Sequence, residues 1–147
     1  MIVTLEQMSS LGANLAAELR VGDVIALSGE LGAGKTTLAR AILSALGLCQ
    51  EAPSPSFAIV QPYAPPETTL PVLHVDLYRI NHVAELDELG LDEARGDHLL
   101  MIEWPENMGD RAFANMLWLR IEMAGDDARR LTATVPEAWG NRCQFLT

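Results

Sequence analysis

GELGAGKTT, residues 29–37, follows the apolar run VIALSG (24–29) and leads into an alanine- and leucine-rich stretch from Thr36 to Leu46. Gly29, Gly34, Lys35 and Thr36 satisfy the spacing G-x-x-x-x-G-K-S/T. Glycines at those places let consecutive backbone N–H groups turn inward toward phosphate oxygens, and a helix N-terminus behind them adds partial positive charge. Lys35 would reach the β- and γ-phosphates, and the Thr36 hydroxyl would ligate Mg²⁺. The competing reading, an ordinary strand-to-helix turn, loses weight because a buried strand and a helix both stand in the required places. Lys35 is also the only lysine of the chain, against nine arginines. A chain that otherwise uses arginine keeps its one compact ammonium where a point charge is wanted.

The 147 residues make one domain's worth of core, and 49% hydrophobic with 20% charged residues is an ordinary globular balance. No apolar run approaches the roughly 20 residues of a membrane span. MIVTLEQMSS, the N-terminus, has no basic residue before its first apolar stretch, which argues against a secretory signal. Cys49 and Cys143 lie far apart without C-x-x-C spacing and read as small core or surface thiols. A reduced, cytoplasmic compartment is expected. The net charge of −10 argues against independent binding to a nucleic-acid backbone, DNA included, and points to a partner protein where a nucleic acid is served.

Around the glycine loop, Leu5, Met8, Leu11, Leu15 and Leu19 recur at three- and four-residue spacings and predict an amphipathic helix over 5–19. Gly22-Asp23 breaks it, and the helix after the loop ends at Gly47. APSPSF (52–57) is a loop, since its two prolines forbid a helix. FAIVQPY (57–63) and PVLHVDLY (71–78) predict strands, VAELDELGLDEA (83–94) a short helix, and DHLLMIEWPE (97–106) an apolar strand ending on a carboxylate. NMLWLRIEM (115–123) and RRLTATV (129–135) alternate around AGDDA as a C-terminal β-hairpin. The expected fold class is α/β: a single P-loop NTPase-like domain over 1–147, with a mixed, strand-rich central sheet flanked by few helices.

A phosphate loop needs a further metal-holding acid at the end of a neighbouring strand. Asp76 in LHVDLYR and Glu103 in LLMIEWPE both stand there, and the sequence leaves open which is the closer ligand. Trp104, beside Glu103, reads by itself as core, and His74 as a packed strand histidine. Glu85, Asp87, Glu88, Asp92 and Glu93 read as a solvated face, with partner docking as the sharper alternative.

The order GELGAGKTT, SPSF, HVDLYR, ELDELGLDE, IEWPE resembles the TsaE (YjeE) family, small bacterial P-loop ATPases needed for threonylcarbamoyladenosine formation on tRNA. The likeness runs from the N-terminal helix through about Glu106 and more weakly through the hairpin. It implies ATP with Mg²⁺, slow hydrolysis by the protein alone, and a switching or resetting role beside TsaB and TsaD, of which TsaD carries the transfer chemistry. By position, Gly32, Ala33, Gly34, Lys35, Thr36 and Thr37 would contact the phosphates. Thr36 and Glu103 would hold Mg²⁺, with Asp76 in the same metal and water network and Trp104 close to the nucleotide. Ser54 to Ser56 would sense the γ-phosphate; the family commonly has Thr at the place of Ser56, and serine keeps the hydroxyl. Base and sugar would lie near Thr4 to Gln7 and Gly125, where the match is poor.

Among functions, a regulatory ATPase in a tRNA-modifying assembly leads, tRNA being reached only through the complex. A small-molecule P-loop kinase is the alternative, but its cation-bearing lid is missing, since the close pair Arg129-Arg130 falls in a strand-like stretch. A GTPase switch needs an N/T-K-x-D motif and therefore a second lysine, which the chain lacks. A binding module without turnover is separated from an ATPase only by a rate measured with partners.

Overall fold

In the computed structural model, which describes residues 1–50, 52 and 59–147, one seven-stranded sheet carries the molecule. In chain order the elements are β1 (Ile2–Thr4), α1 (Gln7–Ala16), β2 (Val24–Ser28), α2 (Lys35–Ala45), β3 (Val60–Tyr63), β4 (Val72–Asp76), α3 (Ala84–Asp87), α4 (Leu91–Ala94), β5 (Leu99–Glu103), β6 (Leu117–Met123) and β7 (Ala128–Thr134). Across the sheet the order is β1-β7-β6-β2-β5-β4-β3. The four central strands β6, β2, β5 and β4 run parallel, while β3, β7 and β1 pair antiparallel at the flanks. All four central strands thus end at one edge of the sheet, where α/β folds bind their ligands.

The residue types explain which strands are central. VIALS, VLHVD and LLMIE are buried at every position, as parallel strands covered on both faces must be. β6 is buried only at alternate positions over most of its length. Alternation along each strand divides the core in two. Ile25, Leu27, Leu99, Met101 and Val72 pack with α1 and α2, whereas Val24, Ala26, Leu100, Ile102, Leu73 and Val75 pack beneath α3 and α4. Period-two geometry then places His74, Asp76 and Glu103 on the α2 face, in the same rows as Val72 and Met101.

The elements depart from expectation in a few places. α1 begins at Gln7 rather than Leu5, and in the turn before it the Thr4 hydroxyl accepts from the Gln7 N–H while the Gln7 side chain accepts from the Thr4 N–H. The helix expected over 83–94 is two short ones, interrupted at Gly90 with φ 66°. β1 has no counterpart in the sequence reading. Tail residues 136–147 are anchored: Arg142 donates to both Asp23 carboxylate oxygens at 2.6 and 2.9 Å and lies over the Trp139 ring, and Cys143 and Leu146 are buried. Among the described residues no helix is long and apolar enough to cross a membrane.

Candidate functional site

At the end of β2 the chain turns through the glycine loop into α2. Gly29 has φ 145°, and a Cβ there would lie 2.4 Å from the Ile121 carbonyl oxygen of β6, so only glycine lets the loop leave the sheet this closely. Gly34, at φ 115°, is the residue from which α2 starts. The eleven residues of α2 aim an uncapped N-terminus, with its unpaired N–H groups, at the loop. The turn is braced from the hairpin by Arg129, whose Nε donates to the Ala33 carbonyl at 2.7 Å.

Lys35 is 4% exposed and its Nζ donates to the loop carbonyls of Gly29 and Glu30 at 2.6 and 2.9 Å. It also lies 4.5 Å from the centroid of the Trp104 ring. Burial pushes its pKa down from the ordinary lysine value, against the pull of Glu103, Asp76 and Glu106. On the next residue, the Thr36 hydroxyl donates to Glu103 Oε1 at 2.9 Å. The other oxygen of that carboxylate, Oε2, lies 2.6 Å from His74 Nε2. Asp76 stands in register with Glu103 on the adjacent strand, and its Oδ1 accepts from the Tyr78 N–H at 2.9 Å.

These groups open on a cavity of about 190 Å³. Gly32, Gly34, Lys35, Thr36 and Thr37 line it from the loop and α2; Asp76, Glu103 and Trp104 close it from the strand ends. Trp104 reverses the chain after β5 with φ 58° and ψ 51°, a left-handed conformation unusual for a residue with a side chain, and its ring stands 5.0 Å from that of Tyr78. Gly29 and Ala33 border a neighbouring cleft of about 640 Å³, between the loop and β6, that Trp104 also lines.

The structure therefore brings Lys35, Thr36, Asp76, Glu103 and Trp104 together from three separate parts of the chain. Ser54 and Ser56 lie outside the described residues. Thr4 and Gln7 are engaged with each other, and Gly125 sits in the turn between β6 and β7. Among the described residues no group of three or more His, Cys, Asp and Glu side chains is arranged to hold a metal unaided. Two residues of this end of the molecule escaped the sequence reading. His74, a packed strand histidine as its sequence context suggests, is fully buried and in addition bonded to Glu103. Arg129, which in the sequence reads only as half of an arginine pair on a strand, is 7% exposed, under the loop. For His74 the signal was present, a polar residue two positions before Asp76 on the same strand face; for Arg129 there was none.

Parallel strands ending at a glycine loop, with an acid at the end of each of two neighbouring strands, define the class: a P-loop NTPase-like protein. Its sequence matches the family model described as threonylcarbamoyl adenosine biosynthesis protein TsaE over residues 2–131. The chain belongs to the TsaE family. It is 38% identical over 138 residues to a Streptomyces coelicolor protein named tRNA threonylcarbamoyladenosine biosynthesis protein TsaE, covering 90% of this chain and 93% of that one. To the Bacillus subtilis protein of the same name it is 36% identical over 142 residues, covering 96% and 85%. The crystal structure of Bacillus subtilis YdiB superposes with a TM-score of 0.81 at 30% identity, covering 99% of this chain and 91% of that one.

Proposed function

We propose that this protein binds ATP with Mg²⁺ and hydrolyses it in support of threonylcarbamoyladenosine formation on tRNA, beside TsaD-like and TsaB-like partners in the cytoplasm. One observation carries the nucleotide half of the reading: Thr36, at the start of α2, donates a hydrogen bond from its hydroxyl to Glu103, leaving its oxygen lone pairs for a cation next to Lys35. Membership of the TsaE family carries the tRNA half.

The donor set fits the metal. One hydroxyl and two strand-end carboxylates open on a small cavity, and magnesium characteristically takes one or two protein carboxylates and completes its shell with phosphate and water. Thr36, Glu103 and Asp76 would hold it, and once bound it supplies neutralising charge at the phosphates. Lys35 would exchange the carbonyls of Gly29 and Glu30 for phosphate oxygens, so its present bonds are a resting place at the site. The α2 N–H groups and Thr37 would take the remaining phosphate contacts. A cavity of about 370 Å³ beside Thr37, lined by Leu5, Met8, Ser9 and Arg40, is the space we assign to base and sugar.

The net charge of −10 accords with tRNA being reached through partners rather than bound directly. The deciding experiment is the ATPase rate of the purified protein with Mg²⁺, alone, with the TsaD–TsaB pair, and with the pair plus tRNA. Slow turnover alone and faster turnover with partners are expected. No turnover under any of these conditions, or stoichiometric phosphoryl transfer to a small acceptor, would overturn the reading.

A further inference from the structure

His74 is fully buried, at 0% exposure, in the middle of a site whose chemistry does not call for it. It belongs to the β4 row Val72, His74, Asp76, which faces α2, and its Nε2 meets Glu103 Oε2 at 2.6 Å. Its Nδ1 is buried and has no hydrogen-bond partner among the described residues. Among the described residues, the one ring nitrogen with a partner is the one turned to Glu103.

We propose that His74 is a positioning residue that holds the Glu103 carboxylate in the orientation needed for magnesium; the proposal rests on the reading of this cavity as a magnesium–nucleotide site. With Glu103 ionised, Nε2 carries the proton and donates it to Oε2. The Thr36 hydroxyl donates to Oε1. A carboxylate bonded at both oxygens cannot rotate about its last bond, and each oxygen keeps a further lone pair for the cavity. His74 thereby ties β4 to β5 at the point where α2 reaches both. Partners of this kind, one bond behind a metal ligand, commonly govern metal affinity by about 10- to 100-fold.

The test uses His74→Gln and His74→Asn. A glutamine amide nitrogen lies at about the reach of Nε2 and can donate to Glu103; that of asparagine stops near the place of Nδ1 and cannot. Binding of a non-hydrolysable ATP analogue is titrated with MgCl₂, and again in EDTA, below the melting temperature of each variant. H74N should raise the half-saturating Mg²⁺ about 10- to 100-fold, with affinity in EDTA unchanged, while H74Q should stay near wild type. An unchanged midpoint in H74N, or equal increases in both variants, would overturn the role. Should H74N fail to fold, H74Q decides: a wild-type midpoint supports donation and a raised one overturns it. Wild-type binding indifferent to Mg²⁺ would overturn the magnesium site itself, and this role with it.

Discussion

The Nε of Arg129, on the C-terminal hairpin, donates to the carbonyl of Ala33, in the glycine loop, at 2.7 Å. The C=O and N–H of a trans peptide point in opposite directions. Holding the Ala33 oxygen toward β7 therefore aims the Gly34 N–H away from it, and Gly34 lines the small cavity. Arg129→Met keeps the length of the stem and removes the donor, leaving a buried carbonyl unsatisfied. It should cost about 2 kcal/mol of stability, read by denaturant unfolding. Should about 1.4 kcal/mol of that fall on the nucleotide-bound loop, ATP affinity drops about tenfold. Unaltered stability and affinity would show that the brace is idle.

Thr36→Val preserves shape and abolishes the donation to Glu103 Oε1. Its expected signature is an Mg²⁺ midpoint raised by about tenfold or more, with affinity in EDTA little changed. Glu103→Ala should share that signature and lose Mg²⁺-dependent hydrolysis as well. Titration curves overlaying wild type would remove both residues from the metal site.

Lys35 gives the apo protein a distinctive pH dependence. Its folded pKa lies below the ordinary lysine value of 10.5, so on raising the pH the folded state releases this proton before the unfolded chain does. Stability from this group is therefore lowest while Lys35 is charged, rises through its folded pKa, and levels off once the unfolded lysine has also deprotonated. Thermal melting of wild type minus Lys35→Met across the alkaline range isolates this contribution from that of other groups. The difference should shift in favour of wild type as pH climbs toward 10.5, and a flat difference would contradict the direction of the shift. Lys35→Met should also lose nucleotide binding.

Cys143 is fully buried, and burial together with the neighbouring Glu18 pushes its thiol up to about 12, whereas Cys49 is exposed. At pH 8 a chromogenic disulfide reagent should therefore label one thiol per native chain and both in denaturant. Rapid labelling of two thiols in the native protein would mean that the tail around Arg142 and Trp139 detaches in solution.

What could be read in advance has a local cause. The glycine spacing, the solitary lysine and the flanking strand and helix lie within 23 consecutive residues, Val24 to Leu46, and each constrains its neighbours. Asp76 and Glu103 could be marked because a carboxylate closing an apolar run marks the end of a buried strand, although both acids are themselves buried. β1 could not be found in this way: three residues have too little pattern, and the strand exists because β7, far along the chain, offers it an edge. The division of the 83–94 helix turned on a single left-handed glycine, Gly90. His74 with Glu103 and Arg129 with Ala33 join residues 29 and 96 positions apart, beyond any spacing rule.

Legible in the order of residues alone were a glycine loop of G-x-x-x-x-G-K-S/T spacing that joins a strand to a helix, two acids that end two buried strands, and a resemblance to the TsaE family. The first two follow from short-range sterics and hydrophobic periodicity, and the resemblance from the order of five motifs along the chain. Packing of the whole sheet sets β4 and β5 side by side in register, bringing Asp76 against Glu103 and both beside the start of α2. It also decided that His74 and Arg129 spend their polar groups on this site. Strand order and burial emerge from packing the whole sheet, and a side chain's partner is settled only once the sheet has closed around it.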